Sequence, residues 1–306
     1  MAPQDRPLST VLPVQEASVR QQTAFPVEDY DLSATLCSGQ VFRWQRHGDS
    51  WVGVVRGRWV RLWQEAGHIF AETAVPQTDW RWLADYLQVE VNLAAILDTF
   101  PLDSAMSAAV QACRGLRLLR QDVWECLASF ILSSTKQIVQ IQQVISTLAL
   151  RWGQPLTVLP GEEPAFTFPT AVQLADASER DLRSCKMGFR APYLLASARM
   201  IADGRFNLEA LRDLPISAAR VELMKLPGVG TKIADCVLLF AYGFPEAFPV
   251  DVWMLRVLKR FHFRRRRVQP ARLHAVAQKY FGPNAGYAQQ YLFHWIRTNP
   301  QNELPV

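Results

Sequence analysis

The sequence predicts an α+β protein in which a small N-terminal antiparallel β domain precedes an all-helical body. Three observations carry that expectation. Residues 41–72 hold four short runs rich in Val, Trp, Phe and Ile, separated by Gly-containing turns. Beyond Trp80 the apolar residues recur at i, i+3 and i+4 steps and rarely alternate. Hydrophobic residues make up 49% of the 306-residue chain and charged residues 20%, which gives enough apolar surface for two cores and rules out wholesale disorder.

Residues 1–25 are rich in Pro, Gln and Arg, lack the apolar stretch of a secretory signal, and read as a flexible arm. The strands are expected at 41–45, 51–56, 59–64 and 68–72, with turns at His47-Gly48-Asp49, Gly57 and Ala66-Gly67, a meander of hairpins. Residues 26–112 are expected to form this β domain with flanking helices, and 113–306 the helical core. Helical spacing predicts helices over 122–132, 137–152, 170–175, 178–185, 192–203, 207–213, 216–225, 231–242, 252–261, 270–281 and 285–299, with a Pro/Gly/Glu loop at 155–169. The longest uninterrupted apolar run lies around 237–244, far short of the ~20 residues of a membrane span. The five cysteines are at least thirteen residues apart and form no C-x-x-C pair, so neither a zinc finger nor an iron–sulfur cluster is expected, and their odd number fits a reducing compartment. A net charge of +5 fits a polyanionic partner.

One string has a chemical reading of its own. Leu226-Pro227-Gly228-Val229-Gly230-Thr231-Lys232 lies between two helical segments, making a helix-hairpin-helix over about 217–242. Pro227 and Gly228 end the first helix; Gly228 and Gly230 allow positive φ and close backbone approach. The second helix starts at once, so its unpaired N–H groups and dipole face outward and suit a DNA phosphate at Gly228, Gly230 and Thr231. A tight turn between core helices is the plain alternative, which the full string disfavours. Lys232 sits in the first turn of the second helix, where a cation meets the positive end of the dipole. It is either a phosphate-contacting surface lysine or an amine nucleophile able to form a Schiff base. Asp251 directly precedes a helical segment; alone it reads as an N-cap, and beside Lys232 it can also stabilise positive charge on a sugar.

Together these residues resemble the helix-hairpin-helix DNA glycosylases with a Gly/Pro…Asp signature, most closely the 8-oxoguanine glycosylase/AP lyases. The resemblance rests on Cys37-Ser38-Gly39-Gln40-Val41-Phe42-Arg43-Trp44, Ser133-Ser134, Met187-Gly188-Phe189-Arg190-Ala191, 226–236, Pro249-Val250-Asp251 and Ala288-Gln289-Gln290-Tyr291-Leu292-Phe293, and spans about residues 30–297. It implies a β domain resembling the TATA-binding fold, packed on two helical subdomains with the damaged base flipped into the cleft. It further implies Lys232 as nucleophile at C1′ and Asp251 as the carboxylate stabilising an oxocarbenium-like transition state.

The same resemblance makes Gly39 the donor of a carbonyl to the N7–H of 8-oxoguanine, where guanine has only an acceptor. Gln289 and Phe293, spaced i, i+4, would read the base edge and stack on its face, and Cys236 would lie against the other face. Without it, Ser38-Gly39-Gln40 is a turn, Gln289 and Phe293 a buried pair, and Cys236 a small core residue. Phe189 resembles the wedge that fills the vacated stack and Arg190 the reader of the widowed cytosine; the alternative is a core aromatic and a solvated arginine.

Three positions depart from the pattern. Thr135 stands where the family usually has asparagine in the opposite-base contact, Gln140 where a second arginine is common, and Trp253 where histidine is usual. The run Arg264-Arg265-Arg266-Arg267 is either a solvated loop or a phosphate contact. The implied cofactor set holds no required group, only a structural monovalent or calcium ion on the carbonyls of Met224, Leu226 and Val229. The implied partner is double-stranded DNA containing 8-oxoguanine, bound inside the cell by a monomer with no membrane partner. A glycosylase for another damaged purine and a non-catalytic DNA-binding module are the competing readings; the first lacks a use for Gly39 and Gln289, the second for Lys232 and Asp251.

Overall fold

The structure, a computed structural model, describes residues 21–133, 137–251 and 270–298, together with Met254, Leu255 and Leu258. Thr135, Trp253 and the run Arg264–Arg267 lie outside the described residues. Five strands form one antiparallel sheet in the order β1-β5-β4-β3-β2: β1 Gln21–Pro26, β2 Gln45–His47, β3 Ser50–Val55, β4 Arg58–Glu65 and β5 His68–Thr73. The last three fall where the alternation put them.

Two differences have physical causes. Gln21–Phe25, expected within the arm, pair with β5 from Gln21↔Thr73 to Phe25↔Ile69. Phe25 is buried in the sheet core, and Gln22 Nε2 donates to Glu72 Oε1 at 3.1 Å. The polar look of this strand belongs to a sheet edge, not to a disordered arm. Residues 41–44 are largely apolar like a strand yet lie outside the ladder. They divide between two cores instead of two sheet faces: Val41 and Trp44 enter the sheet core and Phe42 the helical core. Trp44 lies over Gly53, where a Cβ would come within 2.6 Å of the ring, and its Nε1 donates to Tyr86 Oη at 2.9 Å.

The helices are α1 Leu32–Cys37, α2 Arg81–Leu87, α3 Leu93–Leu97, α4 Ser104–Ala112, α5 Val123–Ser133, α6 Ile138–Trp152, α7 Ala171–Ala175, α8 Glu179–Leu182, α9 Ala191–Ala202, α10 Ile216–Leu223, α11 Thr231–Val237, α12 Pro270–Phe281 and α13 Ala285–Thr298. α11 continues as a wider turn over Leu238–Tyr242. The helix expected at 178–185 is α8 continued as a wider turn from Arg183, and it ends where Cys185 leaves helical geometry and Lys186 and Gly188 take positive φ (62° and 59°), turning the chain into α9. Phe100, Met106 and Ala109 belong to the helical core although the sequence groups them with the sheet. Arg117 joins the two parts: it is buried, and its guanidinium donates to the carbonyls of Asp29 at 2.7 Å and Glu28 at 2.9 Å. Among the described residues no helix is long and apolar enough to cross a membrane.

Candidate active site

The hairpin between α10 and α11 is built largely as its glycines suggest. Gly228 takes φ +78°, and a Cβ there would approach Tyr193 Cβ to 2.8 Å. Gly230 does not need positive φ: it is extended (φ −97°, ψ −179°) with nothing within 4 Å of a would-be Cβ. Its value is an uncovered backbone at the start of α11, which leaves the N–H groups of the first turn open to an anion. Tyr193, on α9, ties this hairpin to the turn that carries Phe189 and Arg190.

α11 directs Lys232 and Cys236, one turn apart, into a cavity of about 490 Å³. Asp251 and Pro249 enter from the segment after α11, Gly39 from the loop after α1, and Gln289, Gln290, Phe293 and Arg297 from α13. Gly39 and Phe293, far apart in the sequence, thus share one wall, with a would-be Cβ of Gly39 3.4 Å from the Phe293 ring.

Lys232 Nζ donates to Ser133 Oγ at 3.3 Å and lies 5.8 Å from the centroid of Phe130. Ser133 Oγ spends its own proton on the Phe130 carbonyl at 2.8 Å, so it meets Lys232 as an acceptor. Phe130 stacks on Phe240 (centroids 5.6 Å, 15°) and meets Phe42 edge-on (5.6 Å, 70°), giving the lysine an aromatic backing. Lys232 and Asp251 line the same cavity, and among the described residues no ion pair joins them. Asp251 is also the N-cap: its Oδ1 accepts the N–H of Met254 at 2.7 Å, and its carbonyl that of Leu255 at 2.9 Å. Asp251 thus makes the capping bonds its position suggests and also lines the cavity that holds Lys232. Burial pushes the Cys236 thiol up to about 12, against the opposing pull of Lys232, so it faces the cavity as a neutral thiol.

On the other wall Gly39 takes φ +83°, and a Cβ there would lie 2.8 Å from Arg297 Nη1 and 3.0 Å from Ile138 Cδ1. Gln289 is buried, and its Oε1 has no hydrogen-bond partner among the described residues. A buried amide oxygen left open toward a cavity is an acceptor waiting for a donor on a ligand. Arg297 donates to the Cys37 carbonyl and stands 5.6 Å over the Phe293 ring.

Phe189 and Arg190 do not line the cavity. Phe189 is 57% exposed and Arg190 is 3% exposed with its guanidinium 4.2 Å from the Phe189 centroid, so the alternative of a core aromatic and a solvated arginine does not hold. Gln140 is exposed, and its Oε1 accepts the Gln137 N–H at 3.1 Å and caps α6. Phe130, Gln290 and Arg297 were not singled out from the sequence; only the i, i+4, i+8 spacing of Gln289, Phe293 and Arg297 on one helix face could have flagged the arginine.

A helix-hairpin-helix beside a cavity holding an amine, a carboxylate, and amide and aromatic groups fits the class of base-excising DNA repair enzymes. Residues 22–127 match the family model of the 8-oxoguanine DNA glycosylase N-terminal domain, and 128–283 that of the HhH-GPD superfamily base excision DNA repair protein. A probable N-glycosylase/DNA lyase of Methanothermobacter thermautotrophicus is 31% identical over 90% of this chain and 96% of its own. The N-glycosylase/DNA lyase of Arabidopsis thaliana is 30% identical over 86% of this chain and 76% of its own. The solved 8-oxoguanine glycosylase/lyase of Clostridium acetobutylicum, in complex with double-stranded DNA containing cytosine opposite 8-oxoG, superposes with a TM-score of 0.84 at 29% identity, covering 90% of this chain and 94% of that one. The chain belongs to the HhH-GPD superfamily of base excision DNA repair proteins, in its 8-oxoguanine DNA glycosylase branch.

Proposed function

We propose that this chain excises 8-oxoguanine from double-stranded DNA, preferentially opposite cytosine, and then cuts the strand at the abasic site. The observation that supports the reading best is the convergence of Lys232 and Asp251 with Gly39, Cys236, Gln289 and Phe293 on one cavity of ligand size. The glycosidic carbon is unreachable in a stacked duplex, so the nucleotide is flipped out; Phe189 swings into the gap, which uncovers Arg190, buried against its ring in the free protein, to meet the widowed cytosine with Thr135. Gln289 reads the base edge, Phe293 and Cys236 flank its faces, and the Gly39 carbonyl accepts N7–H, a bond guanine cannot make.

Lys232 Nζ, as the neutral amine, bonds to C1′ while the C1′–N9 bond breaks and its electron pair leaves with the base, which takes up a proton. Asp251 opposes the positive charge that builds on the sugar. Opening of the C1′–O4′ bond leaves an imine on Nζ. Loss of a C2′ proton then expels the 3′ phosphate, and water hydrolyses the imine to return the amine. This chemistry needs no cofactor. The carbonyls of Met224, Leu226 and Val229 would seat a structural cation shared with a DNA phosphate at the hairpin; Leu226 already accepts the Val229 N–H at 3.1 Å and would offer its second lone pair. The protein works as a monomer, with the DNA inside the cell.

The test is single-turnover excision on duplexes carrying 8-oxoguanine, 3-methyladenine or no lesion, each opposite its ordinary partner. Cleavage confined to 8-oxoguanine is expected. Release of the alkylated base instead would assign the chain to another lesion, and binding without any release would reduce it to a DNA-binding module.

A further inference from the structure

The Gly39 loop carries the lesion-reading carbonyl of the proposed function, yet it belongs to no strand or helix. A glycine at φ +83° also has the freedom to let its flanking peptides flip at little steric cost. Something must therefore hold each peptide plane on either side of it.

The C-terminal side is held from within the sheet domain. Gln40 is fully buried; its Nε2 lies within hydrogen-bond distance of the Thr35 carbonyl (3.0 Å), Ser38 Oγ (2.9 Å) and the Arg117 carbonyl (2.8 Å). Its Oε1 accepts the Leu119 N–H at 2.8 Å, and its carbonyl accepts Gln121 Nε2 at 2.7 Å. The N-terminal side is held from α13, on the same wall of the cavity. The Ser38 carbonyl, which shares a peptide plane with the Gly39 N–H, accepts Gln290 Nε2 at 3.0 Å. Gln290 is 2% exposed and follows Gln289 directly on α13. Neighbours on a helix diverge by about 100°, so one amide is free for the base while the next reaches the loop. A single turn of α13 thus fixes the separation between the group that reads the base edge and the loop that reads N7.

We propose that Gln290 is a specificity-positioning residue: by anchoring the Ser38–Gly39 peptide to α13, it holds the Gly39 carbonyl where it can tell N7–H from a bare N7. The inference rests on the proposed reading of that carbonyl. Losing the anchor should affect discrimination between bases and leave untouched the chemistry on a site that has no base.

Gln290→Met keeps the length and apolar bulk and removes the donor. Three quantities are read on the full chain: single-turnover excision of 8-oxoguanine opposite cytosine, the affinity ratio for 8-oxoguanine over undamaged duplex, and strand cutting at a preformed abasic site. The affinity ratio is expected to fall roughly tenfold, with a matching loss in excision, while abasic-site cutting stays at the wild-type rate. A ratio equal to wild type would overturn the proposal, and so would an equal loss in excision and abasic cutting, which marks general loosening. If Gln290→Met does not fold, Gln290→Glu supplies the same reading, since a carboxylate cannot donate and repels the Ser38 carbonyl. It should lose at least as much selectivity, and full selectivity there would again overturn the proposal. A wild type indifferent to 8-oxoguanine would sink the proposed function itself, whereas a selective wild type with an equally selective variant sinks only the role of Gln290.

Discussion

The two walls of the cavity are made of different materials. The wall behind Lys232 is aromatic and sparing in hydrogen bonds: Phe130, Phe240 and Phe42 pack on one another, and the lysine amine touches one serine hydroxyl. The wall around Gly39 is a lattice of amides, with Gln40, Gln121 and Gln290 holding backbone carbonyls and Gln289 left with an open oxygen. A nucleophile needs to be kept from pairing with a carboxylate and from solvation; a reader needs dipoles that do not turn. On the proposed function, the difference separates chemistry from discrimination, and substitutions on the two walls should fail in different ways.

The largest effect is expected where Asp251 faces the chemistry. Asp251→Asn keeps an acceptor for the Met254 N–H, so the cap survives, but removes the charge opposing the sugar cation. Single-turnover excision should slow by about 10²–10³-fold with DNA affinity nearly unchanged. A variant that instead melts at ordinary temperature would show that capping is the residue's main work.

Gln289→Ala strikes the other wall. It should weaken lesion-duplex affinity by about 1–3 kcal/mol while a preference for 8-oxoguanine over guanine survives, because the Gly39 carbonyl remains. Competition binding with both duplexes measures this; a lost preference would move lesion recognition from Gly39 to Gln289.

The reading wall also carries a pH signature. His294, buried beside Arg297, is held well below its ordinary 6.5, to about 4, first by burial and then by the arginine charge. A base with a depressed folded pKa contributes stability above 6.5 that is lost as pH falls toward 4, on the order of 2–3 kcal/mol. Glu125 and Asp235, raised by burial to about 7, act oppositely, losing stability as pH rises from about 4 to 7. The difference between wild type and His294→Phe isolates the histidine: denaturant unfolding should show the wild type losing ground to the variant between pH 7 and 4.5. A constant difference would mean that His294 is not kept neutral.

The smallest effect concerns the opposite strand. Threonine offers one short hydroxyl where asparagine offers a donor and an acceptor, so Thr135→Asn should sharpen the cytosine preference by roughly 1–3 kcal/mol. Excision opposite C, T, G and A in both proteins measures it; a wild type already as strict would make the substitution silent.

Much of this site was legible in the sequence because its parts carry local signatures. Leu226-Pro227-Gly228-Val229-Gly230 announces a hairpin by turn chemistry, and Lys232 stands out by sitting at the wrong end of a helix. Two expectations failed because a local pattern had a non-local use: Val41–Trp44 divide between two cores, and Gln21–Phe25 look polar because they edge a sheet. Gln290 and Phe130 gave no signal, since a glutamine beside a glutamine and a phenylalanine in an apolar helix acquire meaning only from partners far away in the chain.

The central claim is that the Lys232 amine is the nucleophile, and peptide mapping of the borohydride-trapped complex tests it most directly. Wild-type protein is incubated with an 8-oxoguanine:cytosine duplex, reduced and digested, and the sugar-bearing peptide is identified by mass spectrometry. The account predicts a reduced adduct on Lys232 and no adduct in Lys232→Gln, which should still bind the lesion duplex. An adduct mapped to another amine, or one retained in Lys232→Gln, would contradict it.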